Sequence, residues 1–284
     1  MIGEFIASWP LFASAYVAGW LIAVLLAMVG VLVVARDQIF LGAAVAQSST
    51  LGVALSLWLA TLPLGWFSGW MDRPEGHAIL GVSFAVLAAL LTARTGGSGR
   101  ESPEAVTGWV FILASSLSIL LVSHSPHGLE EVQQILASSL IGATATDLAA
   151  LGALTTITCA AVIFLNQRLL LFAMDPAMAE AAGLHPRRWA AATAVWLGLV
   201  VGGSLHTAGL IYAFGCLVLP ALVAKNLCRQ VRSMFWVAPA VALAGAVAGF
   251  VLANHYDYPP GQLTVALLAA LLPAVWGVRK LRSR

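Results

Sequence analysis

Apolar runs of membrane length alternate with short charged or Gly/Pro-rich breaks along nearly the whole chain. A bilayer core about 30 Å thick needs roughly 20 apolar residues at 1.5 Å of helix rise each. Runs of that kind occupy 11–34, 39–62, 77–93, 105–122, 146–165, 189–206, 209–224, 234–253 and 262–278, and each predicts a helix. The pattern therefore predicts an all-α, polytopic transmembrane bundle, with residues 1–284 as one domain. The flank before the first run holds Glu4 and no Lys or Arg, the wrong charge for a secretory signal peptide, so that run reads as a retained helix.

Composition narrows the class. Of 284 residues, 61% are hydrophobic and 9% charged, against about 25% charged in a soluble domain. So few charges cannot cover a water-facing surface, which excludes soluble enzymes, nucleic-acid-binding domains and disordered tails. The net charge of +2 implies no polyanionic partner; membrane lipid is the expected surrounding. Cys159, Cys216 and Cys228 form no CxxC and read as packed thiols.

The charges then set a topology. With the N-terminus outside, the inner loops hold Arg36; Arg94 and Arg100; Arg168, Arg187 and Arg188; Lys225, Arg229 and Arg232; and Arg279, Lys280, Arg282 and Arg284. Of the 14 basic residues only Arg73 falls outside. The positive-inside rule thus favours N-out, C-in. Because both flanks of 189–224 are basic, that stretch must cross an even number of times, turning near His206–Gly209. About nine spans result, or eight if the second half of that stretch is re-entrant.

Within the spans the polar content is neutral. Of the twelve acids only Asp147 falls inside a span, at its outer end. A charge at mid-membrane costs about 2.5–3.5 kcal/mol on insertion scales, and proton-driven carriers place relay residues there regardless. Energy for transport is therefore expected from another subunit, or the protein is a passive pore. Gln47-Ser48-Ser49-Thr50 sits mid-depth in the second span, Ser115, Ser116 and Ser118 in the fourth, and Thr155, Thr156 and Thr158 in the fifth. For the last two clusters the reading is helix glue, hydroxyls bonding back to their own carbonyls or across to a neighbour. Four consecutive polar residues wrap every face of a helix, so Gln47–Thr50 must meet either a wet pathway or a tightly packed partner. Gly42/Ala46, Gly198/Gly202 and Gly245/Gly249 have the small-xxx-small spacing of close helix contacts. His206 falls at the external turn, His77 and His255 at outer borders, and His185 inside. His124 and His127 lie beside Glu130 and Glu131 in an outer loop. No HExxH, GxSxG or GxxxxGK[ST] occurs. Catalytic residues, a protein-bound metal and a nucleotide cofactor are accordingly not expected in this chain.

On the inner side, Met174-Asp175-Pro176-Ala177-Met178-Ala179-Glu180-Ala181-Ala182-Gly183 predicts a helix of under two turns. Asp175 suits the N-cap, Pro176 the first helical position and Gly183 the left-handed residue past the end. Arg94–Glu104 reads as a Gly/Ser-rich linker that Ser102-Pro103-Glu104 closes as a helix start.

These residues carry a resemblance. Arg36–Gly52, Met174-Asp175-Pro176 with Ala179, Ala182 and Gly183, Gly209-Leu210 through Leu217-Val218-Leu219-Pro220, and Tyr258-Pro259-Pro260-Gly261-Gln262 resemble, in order and spacing, the membrane permeases of ATP-binding-cassette transporters for zinc, manganese or iron. The resemblance implies a permease that pairs with a second copy or a paralogue in the plasma membrane. It also implies two cytosolic ATPase subunits, which bind the ATP, and an extracytoplasmic solute-binding protein. Asp175, Pro176, Ala179 and Gly183 would form the ATPase-coupling helix. Gln47, Ser48, Ser49, Thr50 and His206 would line the pathway of an alternating-access importer. One stretch departs from the family. Where it reads glycine-Asp-Ala-x-Ser-His followed by Pro-Gly, this chain has Gly42-Ala43-Ala44-Val45-Ala46-Gln47 and then Leu51-Gly52. Ala43 and Gln47 replace the carboxylate and imidazole that suit a transition metal. The cargo is then a metal held by few direct ligands, or a metal chelate. The rival readings are a passive channel, an accessory subunit beside a motif-complete permease, and a membrane-embedded enzyme.

Overall fold

Lipid tails are as apolar as leucine, so helices in a membrane associate through close packing and hydrogen bonds rather than through the hydrophobic effect. The computed structural model, which describes residues 2–62, 66–71, 73–95, 102–123, 140–174 and 176–282, follows that rule. Its elements are α1 (Ile2–Ala35), α2 (Ile39–Ala60), α3 (Trp66–Met71), α4 (Pro74–Thr95), α5 (Pro103–Val122), a 3-10 turn at Leu140–Gly142, α6 (Ala145–Met174), α7 (Pro176–Ala181), α8 (Pro186–Ala208), α9 (Leu210–Leu227), α10 (Val231–Tyr256) and α11 (Pro260–Arg282). Among the described residues, nine helices are long and apolar enough to cross a membrane, one for each run read from the sequence.

The helix ends differ from the apolar runs where charge and helix breaking part company. α6 continues past Arg168 to Met174, since no Gly or Pro stops it before Pro176. At its start Thr144 and Asp147 form a reciprocal cap. Asp147 Oδ2 accepts from Thr144 N (2.9 Å), and Thr144 Oγ1 accepts from Asp147 N (3.2 Å). The one acid inside a predicted span is thus a capping group. Ser102 Oγ caps α5 by accepting from Ala105 N at 3.1 Å. Gly209 separates α8 from α9 with a φ of 79°, a left-handed conformation that glycine adopts without strain. The sequence pattern did not reveal α3.

Packing divides the chain into two units. The first comprises Met1–Asp37, Ser139–Gly183 and Thr207–Arg284. At its centre is α1, 34 residues and hence about 51 Å long. Its Ile22, Leu25, Leu26, Val31 and Val34 are fully buried, as are Leu217, Phe235, Phe250 and Leu268 of the same unit. Tyr212 OH, fully enclosed, donates to the Gly19 carbonyl at 2.9 Å. Gly245 lies on Leu268 and Gly249 on Thr264, so α10 and α11 touch where the sequence placed a small-xxx-small pair. Further polar contacts of the unit lie at its two ends. At one, Glu4 Oε2 is 2.7 Å from His255 Nδ1, and Tyr16 OH donates to Asn254 at 3.3 Å. At the other, Lys225 Nζ meets Asp37 at 2.7 Å, Arg279 Nη1 donates to Asn226 at 3.1 Å, and Arg36 lies 4.6 Å over the Phe172 ring. Burial lowers the Arg36 pKa from its usual value, though a guanidinium stays charged. Arg36, Lys225 and Arg279, assigned to one side by charge counting, do gather at one end.

The second unit comprises Gln38–Ser138 and Leu184–His206. α2 is its centre, packed on α4 and α5. Val53, Ala54, Leu57 and Val122 form one cluster, and Ala44, Ala88 and Val110 another. α8 approaches α4 backbone to backbone. A Cβ added at Gly198 would lie 2.5 Å from Val86 Cα, and one at Gly202 would lie 2.9 Å from Val82 Cα.

Candidate functional site

A hydroxyl in the middle of an apolar helix must find an acceptor, and the nearest is the carbonyl one turn back. In α2, Ser48 Oγ donates to Ala44 O at 2.8 Å and Thr50 Oγ1 to Ala46 O at 3.3 Å. Ser49 faces α4, where a Cβ on Gly81 would stand 3.1 Å from its Oγ. The absence of side chains at Gly52 and Gly81 is what allows this approach, because a Cβ on Gly52 would run into the Leu80 carbonyl. Ser48, Ser49 and Thr50 are each buried. Gln47 alone of the four is half-buried, and so is Ala43 one turn before it. Residues four apart share a helix face. The two positions at which this chain departs from the family's carboxylate and imidazole therefore lie on the one face of α2 that unit two leaves partly open.

Of the six hydroxyls read as helix glue in α5 and α6, four bond back within their own helices. Ser118 donates to Ser115 O (2.9 Å), Thr155 to Leu151 O (2.7 Å), Thr156 to Gly152 O (2.8 Å) and Thr158 to Leu154 O (2.7 Å). Their donors are spent within their own helices.

His206, in the last turn of α8, is half-buried. Two residues earlier Ser204 is fully buried, and its Oγ has no hydrogen-bond partner among the described residues. His77, read simply as an outer-border residue, belongs to a built interaction. Ser56 Oγ donates to Val53 O (2.7 Å) and stands 2.6 Å from His77 Nδ1. Once the single hydroxyl proton is committed to Val53, Nδ1–H of His77 is the donor. The loop with His124, His127, Glu130 and Glu131 lies outside the described residues.

Among the described residues no group of three or more His, Cys, Asp or Glu could hold a metal ion. The three cysteines are free thiols. Cys159 Sγ contacts Met28 Sδ at 3.5 Å, and burial pushes the Cys228 thiol up, away from the thiolate that binds metals.

On α7, Asp175 lies outside the described residues. Pro176 opens the helix, Gly183 has φ 81°, and its N–H donates to Glu180 O at 2.9 Å while Ala182 N donates to Met178 O at 2.9 Å. This is the predicted C-terminal stop. Ala179 is fully buried, whereas Met178 is 61% exposed and Glu180, Ala181 and Ala182 are exposed too. α7 thus anchors through Ala179 and presents Met178 outward.

A solved structure shares this architecture over nearly all of the chain, and curated relatives match it in sequence. The Streptococcus pneumoniae PsaBC structure, solved in complex with a Fab, superposes with a TM-score of 0.80 at 20% identity, covering 97% of this chain and 95% of that one. The chelated iron transport system membrane protein YfeD of Yersinia pestis is 24% identical over 92% of this chain and 83% of its own. The high-affinity zinc uptake system membrane protein ZnuB of Haemophilus influenzae is 23% identical over 90% and 93%. The profile of the ABC 3 transport family matches residues 8–277, so this multi-span membrane protein belongs to that family.

Proposed function

We propose that the chain is the permease subunit of an ATP-binding-cassette importer that moves a divalent transition metal, or a chelate of one, across the plasma membrane. The observation that carries this reading is the family match across residues 8–277, which takes in both the α2 segment and the α7 stop. Zinc and chelated iron in the names of two relatives of nearly equal identity supply the cargo class and leave the metal open. The open α2 face supports the weaker-ligand version. An amide at Gln47 and an alanine at Ala43 hold a bare cation poorly, which suits quick release or a chelate that brings its own ligands.

In this reading the N-terminus is external and the Arg36–Lys225–Arg279 end is cytoplasmic. A solute-binding protein delivers cargo to the outer face. ATP binding and hydrolysis in separate cytosolic ATPase subunits move α7, and with it the helices around Gln47 and His206, in a complex with a second permease copy or a paralogue. Uptake of labelled zinc, manganese, iron and chelated iron should fall for one of these in cells lacking the gene. The purified complex should retain a P-loop ATPase. Unchanged uptake of every cargo would sink the proposal, and conduction by the reconstituted chain alone would make it a channel.

A second reading has one observation in its favour. With no metal-binding group among the described residues, the chain could serve as the accessory half of a heterodimer whose other permease carries the Asp and His. Co-isolation with such a paralogue separates the two.

A further inference from the structure

The chain leaves unit one at Asp37 and enters α2, the helix that carries Ala43 and Gln47. It does so through a short turn. Arg36 N and Asp37 N still donate to Leu32 O and Val34 O, both at 3.2 Å, and Asp37 then takes a left-handed φ of 53°. α2 starts at Ile39, so only Arg36, Asp37 and Gln38 separate the two helices. With so little slack, a group that fixes Arg36 also fixes where α2 begins.

What fixes Arg36 is an aromatic ring on another helix. Its guanidinium lies 4.6 Å over Phe172 of α6. Phe172 is 2% exposed and Ala173 7%, so this last turn of α6 is enclosed. α7 opens at Pro176, four residues after Phe172, and packs on α6. Arg36 is itself half-buried, and among the described residues no carboxylate lies within ion-pair reach of it. A guanidinium partly withdrawn from water without an anion relies on the ring face, against which its plane stacks well. The neighbouring ion pair is weaker support. Lys225 and Asp37 are 2.7 Å apart, but their side chains are 46% and 79% exposed, and pairs so open to solvent contribute little. Arg36 on Phe172 is therefore the contact that ties the connector to α6.

We propose that Arg36 is a positioning residue for transport: clamped on Phe172, it makes the start of α2 follow the end of α6 that carries α7. The inference rests on the importer reading above and gives it a route from the ATPase-facing helix to Gln47. Contact supplies the route, and variants at its links measure the coupling.

The test uses the complex of this permease with its ATPase and binding protein in liposomes. ATP hydrolysis and uptake of labelled zinc, manganese and iron are measured together. Arg36→Gln and Phe172→Leu should each lower the metal taken up per ATP hydrolysed about three- to tenfold, the range that a partly desolvated cation–π contact sets. The double variant should be no worse than either, because both remove one contact. Arg36→Lys keeps a cation over the ring and should keep most of the ratio, and Lys225→Gln should leave it unchanged. A purely structural role would lower folded protein and both activities together with the ratio intact. That result, or an equal loss of ratio in Lys225→Gln, overturns the proposal. If Arg36→Gln does not fold, Phe172→Leu decides, and a native ratio there overturns it. The two readings fail differently. A native complex that takes up no metal removes the importer reading itself. A Met178→Asp variant that loses the ratio while Arg36→Gln keeps it removes only this route.

Discussion

His77 Nδ1 and Ser56 Oγ stand 2.6 Å apart and join the first turn of α4 to the C-terminal part of α2, across 21 residues of chain. Ser56 is fully enclosed and donates its hydroxyl hydrogen bond to the Val53 carbonyl. The serine therefore joins the imidazole to the α2 backbone.

Removing it should cost about 1 kcal/mol, the usual net worth of such a bond. Ser56→Ala and His77→Ala should each lower the unfolding free energy in detergent by about that amount. The double variant should cost less than the sum, with a coupling of about 0.5–1.5 kcal/mol. Strict additivity would mean that the two groups touch without holding the helices.

Glycines separate into two kinds by what a methyl group would meet. At Gly198 a Cβ strikes Val86 backbone atoms at 2.5 and 2.7 Å, so Gly198→Ala must push α8 off α4. The expected loss is about 1–3 kcal/mol, with reduced yield of folded protein. At Gly152, in α6, nothing lies within 4 Å. There the same change should be neutral or stabilising by up to about 1 kcal/mol through helix propensity. Unfolding of the two variants in one detergent gives the comparison directly, and equal behaviour would remove the close-packing account of α4 and α8.

Most of the fold was legible because membrane solvation imposes one rule on every span. Apolar length and basic flanks suffice to place nine helices, and the gathering of Arg36, Lys225 and Arg279 at one end of unit one agrees with the charge count. The helix stop at Gly183 was readable as well, since a left-handed residue after a short helix nearly demands glycine. Side-chain surroundings were not readable. Nothing in the run Gln47–Thr50 tells which faces meet α4; that depends on Gly52 and Gly81 admitting a backbone 29 residues away. His77 was passed over because a lone histidine at a helix start carries no pattern, and its meaning comes from Ser56. Ser204 was missed for the same reason.

The burial of Ala179 divides the α7 variants into two classes. Ala179→Arg forces a charge into a fully buried position of the helix and should detach α7 from α6, lowering the amount of folded protein. Met178→Asp changes an exposed side chain and should leave the fold intact. If α7 transmits the ATPase cycle, Met178→Asp should reduce transport while the chain folds and inserts normally. Gly183→Ala places a Cβ at φ 81° and should cost about 1–2 kcal/mol locally. Full transport by a folded Met178→Asp variant would take α7 out of the coupling path.

The open face of α2 offers the sharpest test of what the pathway lacks. Ala43 and Gln47 are one turn apart and both half-buried, between the packed Gly42, Ala44 and Ser48. Ala43→Asp with Gln47→His puts a carboxylate and an imidazole about 5–6 Å apart on that face, close enough to share one divalent ion. A lone Asp there costs about 2.5–3.5 kcal/mol of insertion, so Ala43→Asp alone should give less folded protein. A bound cation offsets that cost, and zinc should restore the double variant's stability. The double variant should keep zinc through desalting, where the native chain loses it. Its turnover should be slower, because a site that holds the ion more tightly releases it more slowly. If the double variant folds and binds no zinc, the face is not one that a metal can reach, and Gln47 leaves the pathway. If the native chain itself retains zinc, ligands other than Ala43 and Gln47 hold the ion, and the weak-ligand account of release falls.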